Sequence, residues 1–133
     1  MPRIFTPEEA NALLPQVRPL AEELVARAAA FDEAAAVHTR LVTRIAGNGG
    51  DMPPSELAEA TAAAEEAEGL VRETLGQLRL LGVEVKDPRT GLLDFPAERD
   101  GEAVLLCWRV GEPEVAWWHG EDEGFAGRKP LPF

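Results

Sequence analysis

The sequence predicts an α+β protein: a long antiparallel helical hairpin over residues 1–82, followed over 83–133 by a four-stranded antiparallel β-meander packed on it, in a single domain. Three observations carry this. Apolar residues recur at alternating steps of four and three, first through Ala10, Leu14, Val17, Ala21, Leu24, Ala28, Phe31, Ala35, His38, Val42 and Ile45, then from Leu57 to Leu81. After Gly82 the period drops to two, with Val83 and Val85 alternating with Glu84 and Lys86. Turn-forming clusters then follow at short intervals through residue 113.

Each element has a local reason. Thr6-Pro7-Glu8-Glu9 is helix-start chemistry: Thr6 caps, Pro7 suits the first helical position and Glu9 completes a capping box. Pro15 and Pro19 each remove a backbone donor, which predicts a kink or break there and the best helix from about residue 20. Gly47-Asn48-Gly49-Gly50 ends the helix, and Pro53-Pro54-Ser55 supplies a turn and a new cap. The second helix carries Leu57, Ala60, Ala64, Ala67, Val71, Thr74, Leu78 and Leu81 on one stripe. Gly69 and Gly76 weaken it by roughly 1 kcal/mol each relative to alanine. Gly82 stops it. Asp87-Pro88-Arg89-Thr90-Gly91 is the first turn of the meander, Asp100-Gly101 the hairpin between strands 92–98 and 103–110, and Gly111-Glu112-Pro113 the turn before a fourth strand at 115–119.

Composition narrows function by exclusion. With 13 Lys+Arg against 24 Asp+Glu the net charge is −11, spread over both halves, so no basic face exists for nucleic acid or an anionic membrane. The longest apolar run, 103–108, is far short of a membrane span, and the first fifteen residues lack the apolar stretch of a signal peptide. One cysteine, Cys107, rules out an intrachain disulfide or zinc ribbon and fits a reducing cytoplasm. The single serine, Ser55, sits at a helix start, against a Ser-His-Asp hydrolase; two histidines forbid a three-His metal site; and no glycine-rich phosphate loop is present.

The register of the sheet decides which side chains meet. A two-residue Asp100-Gly101 loop sets Asp94 opposite Cys107 and Phe95 opposite Leu106. If the next loop is Glu112-Pro113, Trp108 faces Trp117 and Cys107 faces Trp118. His119 then joins an almost wholly apolar packed face, and this register is the favoured one. The opposite face gathers Lys86, Asp94, Cys107, Arg109 and Trp118. A loop one residue longer reverses the parity of the last strand and brings His119 beside Asp94 and Cys107.

Two functional readings follow. The favoured one is a non-catalytic protein-interaction or small-ligand-binding module using Lys86, Asp94, Cys107, Arg109 and Trp118, with Arg128 from the tail. The alternative is a small metal-binding protein or metal-dependent enzyme on Asp94, Cys107, Glu112 and His119, with Glu121 or Asp122 as further donors, binding a divalent ion through nitrogen, sulfur and oxygen. No catalytic residue and no organic cofactor is assigned. Set against these are plainer roles: a core histidine, a buried structural thiol at Cys107, and an Asp94 ion pair with Lys86 or Arg109. Gly124-Phe125-Ala126-Gly127-Arg128 is either an anion-holding loop or one that docks Phe125 and pairs Arg128 with an acid.

The opening Ile4-Phe5-Thr6-Pro7-Glu8-Glu9-Ala10-Asn11 through Leu14-Pro15 resembles the start of the bacterial family known as domain of unknown function 2203. Also similar are Gly82-Val83-Glu84-Val85-Lys86-Asp87, Gly91-Leu92-Leu93-Asp94-Phe95-Pro96, Leu106-Cys107-Trp108, Gly111-Glu112, Trp118-His119 and Gly124-Phe125-Ala126-Gly127-Arg128. The resemblance spans nearly the whole chain and implies membership without a mechanism. A helix over 20–45 is about 39 Å long, whereas four strands span roughly 20 Å. Part of the apolar seam is thus left bare, which predicts a homodimer through the hairpins.

Overall fold

The structure, a computed structural model, describes residues 3–48 and 53–133. Two helices, α1 (Pro7–Asn48) and α2 (Pro54–Leu80), precede strands β1 (Glu84–Asp87), β2 (Leu92–Arg99), β3 (Glu102–Arg109), β4 (Trp117–Gly120) and β5 (Lys129–Pro130). A single 3-10 turn, Phe125–Gly127, lies between the last two. The strands form one antiparallel sheet in the order β1-β2-β3-β4-β5, one strand more than expected. The addition is the two-residue β5, which pairs Pro130 with Trp117 and Lys129 with Trp118. So short a piece, half of it proline, carries no period that a sequence pattern can show.

Helix α1 starts as its sequence dictates. The Thr6 N–H donates to Glu9 Oε1 at 2.8 Å and the Glu9 N–H to Thr6 Oγ1 at 3.1 Å, a closed capping box. The expected break at Pro15 and Pro19 does not occur, since one helix runs from Pro7 to Asn48. Both prolines occupy exposed positions four residues apart, so the carbonyls deprived of donors, those of Asn11 and Pro15, lie along the exposed side of the helix and leave the packed side intact. Glycines 49 and 50, expected to stop the helix, fall outside the described residues. Helix α2 begins at Pro54 itself, with Pro53 rather than Ser55 in the cap position. It ends in a Schellman arrangement: Val83 N–H donates to the Leu78 carbonyl at 3.1 Å and Gly82 N–H to that of Arg79 at 2.9 Å.

The chain divides into two compact units. The first comprises Met1–Val25 and Thr74–Phe133 and holds the main core. Trp108, Phe5, Phe95, Leu24, Leu78, Leu93, Leu106 and Val17 are all under 2 % exposed, each contributing roughly 1.5–3 kcal/mol by leaving water. The segment before α1 is tied to β2 by Phe5 N–H donating to the Pro96 carbonyl at 2.7 Å and by an edge-to-face contact of Phe5 with Phe95 at 5.3 Å. The second unit, Ala26–Glu73, is a helical hairpin. Among its described residues Ala28, Leu41 and Ala60 are buried, and Arg27 clamps α2 through the Leu70 carbonyl at 3.1 Å and Glu73 at 3.7 Å. Leu41 rather than the expected Val42 is buried; Val37, Val42 and Leu70 stay exposed.

The β2–β3 hairpin has the expected register: Asp94 faces Cys107 and Phe95 faces Leu106. Asp100 and Gly101 both adopt positive φ, 53° and 81°, as a type I′ turn requires. The favoured register of the next pair is overturned. Cys107 faces Trp117, Leu106 faces Trp118 and Leu105 faces His119, one residue away from the expectation. The cause lies outside the sheet. Residues 112–115 are held by α1: Asn11 donates through Nδ2 to the Val115 carbonyl at 3.0 Å and accepts through Oδ1 from the Val115 N–H at 2.8 Å. Arg18 donates to the carbonyls of Glu112 and Pro113, both at 3.0 Å. The Arg109 N–H, which would begin a tight hairpin, is taken by Glu112 Oε1 at 2.6 Å. Pairing between β3 and β4 therefore starts only at Trp117.

Asn11 acts on this loop as a neighbouring strand would. Asn11→Ala leaves the Val115 N–H and carbonyl without their partners and is expected to cost about 1–3 kcal/mol, read as a lower urea midpoint at unchanged slope.

Candidate metal centre

With that register, β2, β3 and β4 bring one carboxylate, one thiol and one imidazole to the same face. Asp94 and Cys107 are direct cross-strand partners, and His119, opposite Leu105, is two residues along the same face. Their ligand atoms all lie within 4.8 Å of one another, and the residues are 1 %, 1 % and 2 % exposed. The opposite face carries Leu93, Phe95, Ala97, Leu106 and Trp108 into the core.

The hydrogen bonds assign the tautomer. His119 Nδ1 lies 2.7 Å from the Gly120 carbonyl, and a carbonyl only accepts, so Nδ1 carries a proton. Nε2, 3.1 Å from Asp94 Oδ1, is left facing the carboxyl and the thiol. Burial raises the Asp94 carboxyl above its usual range, against the opposing pull of His119 and Lys86. Burial likewise pushes the Cys107 thiol up to about 11, although the Arg128 guanidinium beside it works the other way. A thiol so protonated is no nucleophile at neutral pH.

A second cluster braces this one. Arg128 makes a two-pronged pair with Glu112, Nη1 to Oε2 at 2.8 Å and Nη2 to Oε1 at 2.6 Å, and its Nη2 also reaches the Cys107 carbonyl at 3.3 Å. The guanidinium stacks on Phe125 at 4.4 Å and lies 5.4 Å from the Trp117 ring centre. Its Nε is buried without a hydrogen-bond partner. Burial alone would raise the Glu112 carboxyl, but Arg128 and the Arg109 N–H together hold it below the usual carboxylate range. The loop supplying Arg128 is folded around one glutamate: Glu123 Oε1 accepts from the Gly120 N–H and from Lys129 Nζ, both at 2.6 Å. A Cβ on Gly127 would sit 2.4 Å from Glu123 Cβ, so only glycine permits the wrap.

The residues singled out from the sequence separate. Asp94, Cys107 and His119 converge. Glu112 stands apart from them, its carboxylate held by Arg128 and the Arg109 N–H. Lys86 pairs with Glu84 at 2.9 Å on the rim of a cleft of about 340 Å³ that Asp94, His119, Glu121, Asp122 and Phe125 also line. Arg109 lies over Phe125 at 4.9 Å. Trp118 is on the other face, between Arg99 at 4.9 Å, Lys129 at 4.8 Å and Phe133 at 5.6 Å, a consequence of the register shift. Of the six residues expected to share an outward contact surface, Trp118 lies on the other face, and Asp94 and Cys107 are buried. Trp117, Glu123, Asn11 and Arg18 matter here and carried no such signal; the two glycines around 124–127 were the one visible sign of the tight loop.

The Glu112–Arg128 pair makes stability pH-dependent with a definite sign. Because the folded carboxyl is held down, its contribution is present above the ordinary carboxyl value of 4.5 and is lost as pH falls through the lower folded value. Glu112→Gln is expected to be less stable than the parent at pH 7 and to approach it near pH 3, as urea titrations at the two pH values would show.

No curated protein and no solved structure matches this chain. A family match covers residues 3–131, and the chain therefore belongs to the family described as "Uncharacterized conserved protein (DUF2203)".

Proposed function

We propose that this protein binds a divalent transition-metal ion of the zinc type through Asp94 carboxylate, Cys107 thiolate and His119 Nε2. The observation carrying the reading is the convergence of three different ligand types, from three strands, within 4.8 Å. Zinc takes sulfur at about 2.3 Å and nitrogen or oxygen at about 2.0–2.2 Å, which puts the ligand atoms of a tetrahedron roughly 3.3–3.8 Å apart. The 3.1 Å His119–Asp94 spacing is already close to that. Two surroundings support the assignment. His119 donates its other ring N–H to a backbone carbonyl, the orientation that metal-bound imidazoles rely on. The unpartnered Arg128 Nε belongs to a guanidinium beside Cys107, where a thiolate would give it an acceptor. Three protein ligands leave a fourth position, and the cleft that Asp94 and His119 line gives it access to solvent. A reducing, cytoplasmic setting belongs to this reading, because it keeps Cys107 available as a ligand. No helix among the described residues is long and apolar enough to cross a membrane.

Metal analysis of purified protein, followed by titration of the stripped form with Zn²⁺ and Co²⁺, tests the site. One equivalent is expected to bind, with a thiolate-to-cobalt charge-transfer band, a higher Tm, and affinity at least 100-fold weaker in His119→Ala and Cys107→Ser. Binding must displace the thiol proton, so affinity should tighten as pH rises from 6 to 8. Absence of the charge-transfer band, or affinity in both variants equal to the parent's, would refute the assignment.

We also infer self-association through the hairpin of the second unit. Within Ala26–Glu73, residues 26–48 carry three basic and two acidic side chains, and residues 54–73 one basic and six. A two-fold arrangement that lays α1 on the partner's α2 joins opposite charges and covers Val37, Val42 and Leu70. Light scattering at micromolar concentration should return twice the 14.4 kDa chain mass. Val42→Glu/Leu70→Glu should return the chain mass itself, and a monomeric parent would dismiss the inference.

A further inference from the structure

We propose that a furrow along the first turns of α1 docks an extended, basic segment of a partner protein, one that alternates apolar side chains with Lys or Arg. A cavity of about 630 Å³ lies between the start of α1, Val115 and the tail at 131–133; it shares Pro7, Glu8, Asn11 and Glu114 with a second of about 620 Å³ that continues past Pro15 to Arg18. The two form one open furrow on the first unit. From Pro7 to Arg18 it runs about 16 Å along the helix at 1.5 Å per residue, the length of roughly five extended residues.

Its chemistry specifies the occupant. The apolar part includes Ile4 and Phe133, 48 % and 41 % exposed, at one end. The charged lining is Glu8, Glu98 and Glu114, all exposed, together with Arg18, whose guanidinium is already committed to the carbonyls of Glu112 and Pro113. Helix backbone adds to the deficit of donors. Pro15 has no N–H, so the Asn11 carbonyl lacks its helical donor, and Pro19 does the same to the Pro15 carbonyl. Asn11's own amide is occupied by the carbonyls of Pro7 and Val115. A surface of apolar anchors, carboxylates and orphaned carbonyls asks for a ligand that brings both hydrophobic groups and cationic donors. An extended peptide does this by alternation, its side chains pointing to opposite sides at every second residue.

The test uses fluorescein-labelled Leu-Lys-Leu-Arg-Leu as probe on the whole chain, by fluorescence anisotropy at 50 mM and 500 mM salt, with Leu-Glu-Leu-Glu-Leu as counter-probe. The basic peptide should bind in the micromolar range, on the order of what short groove-bound peptides reach, and lose at least tenfold at high salt. Glu98→Gln/Glu114→Gln should weaken it at least tenfold, while Glu65→Gln/Glu66→Gln, the same charge change in the second unit, should leave it unaltered. NMR shifts should map to Ile4, Val115 and Phe133. The proposal is overturned by no binding at millimolar peptide, by equal binding of the acidic peptide, by equal losses in the two double variants, or by full displacement with equimolar spermidine, which would make the furrow a site for small polyamines.

Discussion

The structure turns on a contact that no strand makes: the side-chain amide of Asn11 paired with both backbone groups of Val115. With Arg18 gripping the carbonyls of Glu112 and Pro113, α1 takes over backbone hydrogen bonds of residues 112–115. A tight hairpin would have given those bonds to β3. Side chains alternate along a strand, so moving the first β3–β4 pair by one residue turns every side chain of β4 over. His119 leaves the packed layer for the face of Asp94 and Cys107, and Trp118 goes the other way. The candidate site is thus set by a helix that contributes no residue to it.

What surrounds the three ligand-type residues is as organised as the residues themselves. Glu112 accepts from the Arg109 N–H, holds both prongs of Arg128, and through its carbonyl accepts the Trp108 indole N–H at 3.0 Å. The loop that closes on the register is therefore also the loop that fixes Arg128 beside Cys107. At the far side Glu123 ties the Gly120 N–H to Lys129, which holds the carbonyl of Gly120 where His119 Nδ1 meets it. Two acids that are not among the three ligand-type residues thus brace the cluster from both ends. Such indirect support is the usual condition for a precise ligand geometry.

Much of the fold was legible because it rests on local signals. The capping box at Thr6–Glu9, the change of period after Gly82 and the Asp100-Gly101 turn each act within a few residues, and all three appear as read. The β2–β3 register followed from that one turn, so the Asp94–Cys107 pairing was readable too. The β3–β4 register was not, because it depends on contacts across about a hundred residues, from Asn11 and Arg18 to residues 112–115. Hydrophobicity alone favours the parity that makes the packed face most apolar. The structure departs from it, and His119 on the polar face has hydrogen-bond partners for both ring nitrogens. The prolines misled for a related reason: their cost depends on which side of the helix they face, and that is a property of the packing.

Stability does not account for the polar trio. Burying a carboxyl, a thiol and an imidazole forfeits hydration that one 3.1 Å contact and one carbonyl bond only partly restore. Leucine and valine side chains of similar volume in a sheet would be at least as stable, and the chain uses them freely at Leu93, Leu106 and Val104 on the opposite face. A thiol raised to about 11 gives nothing as an acid, base or nucleophile while it stays a thiol. Its value appears only when something stronger than solvent removes the proton, and a divalent cation can do so while taking the carboxylate and the free imidazole nitrogen as further ligands. Under the metal reading proposed above, the trio is the protein half of a bond whose other half is an ion.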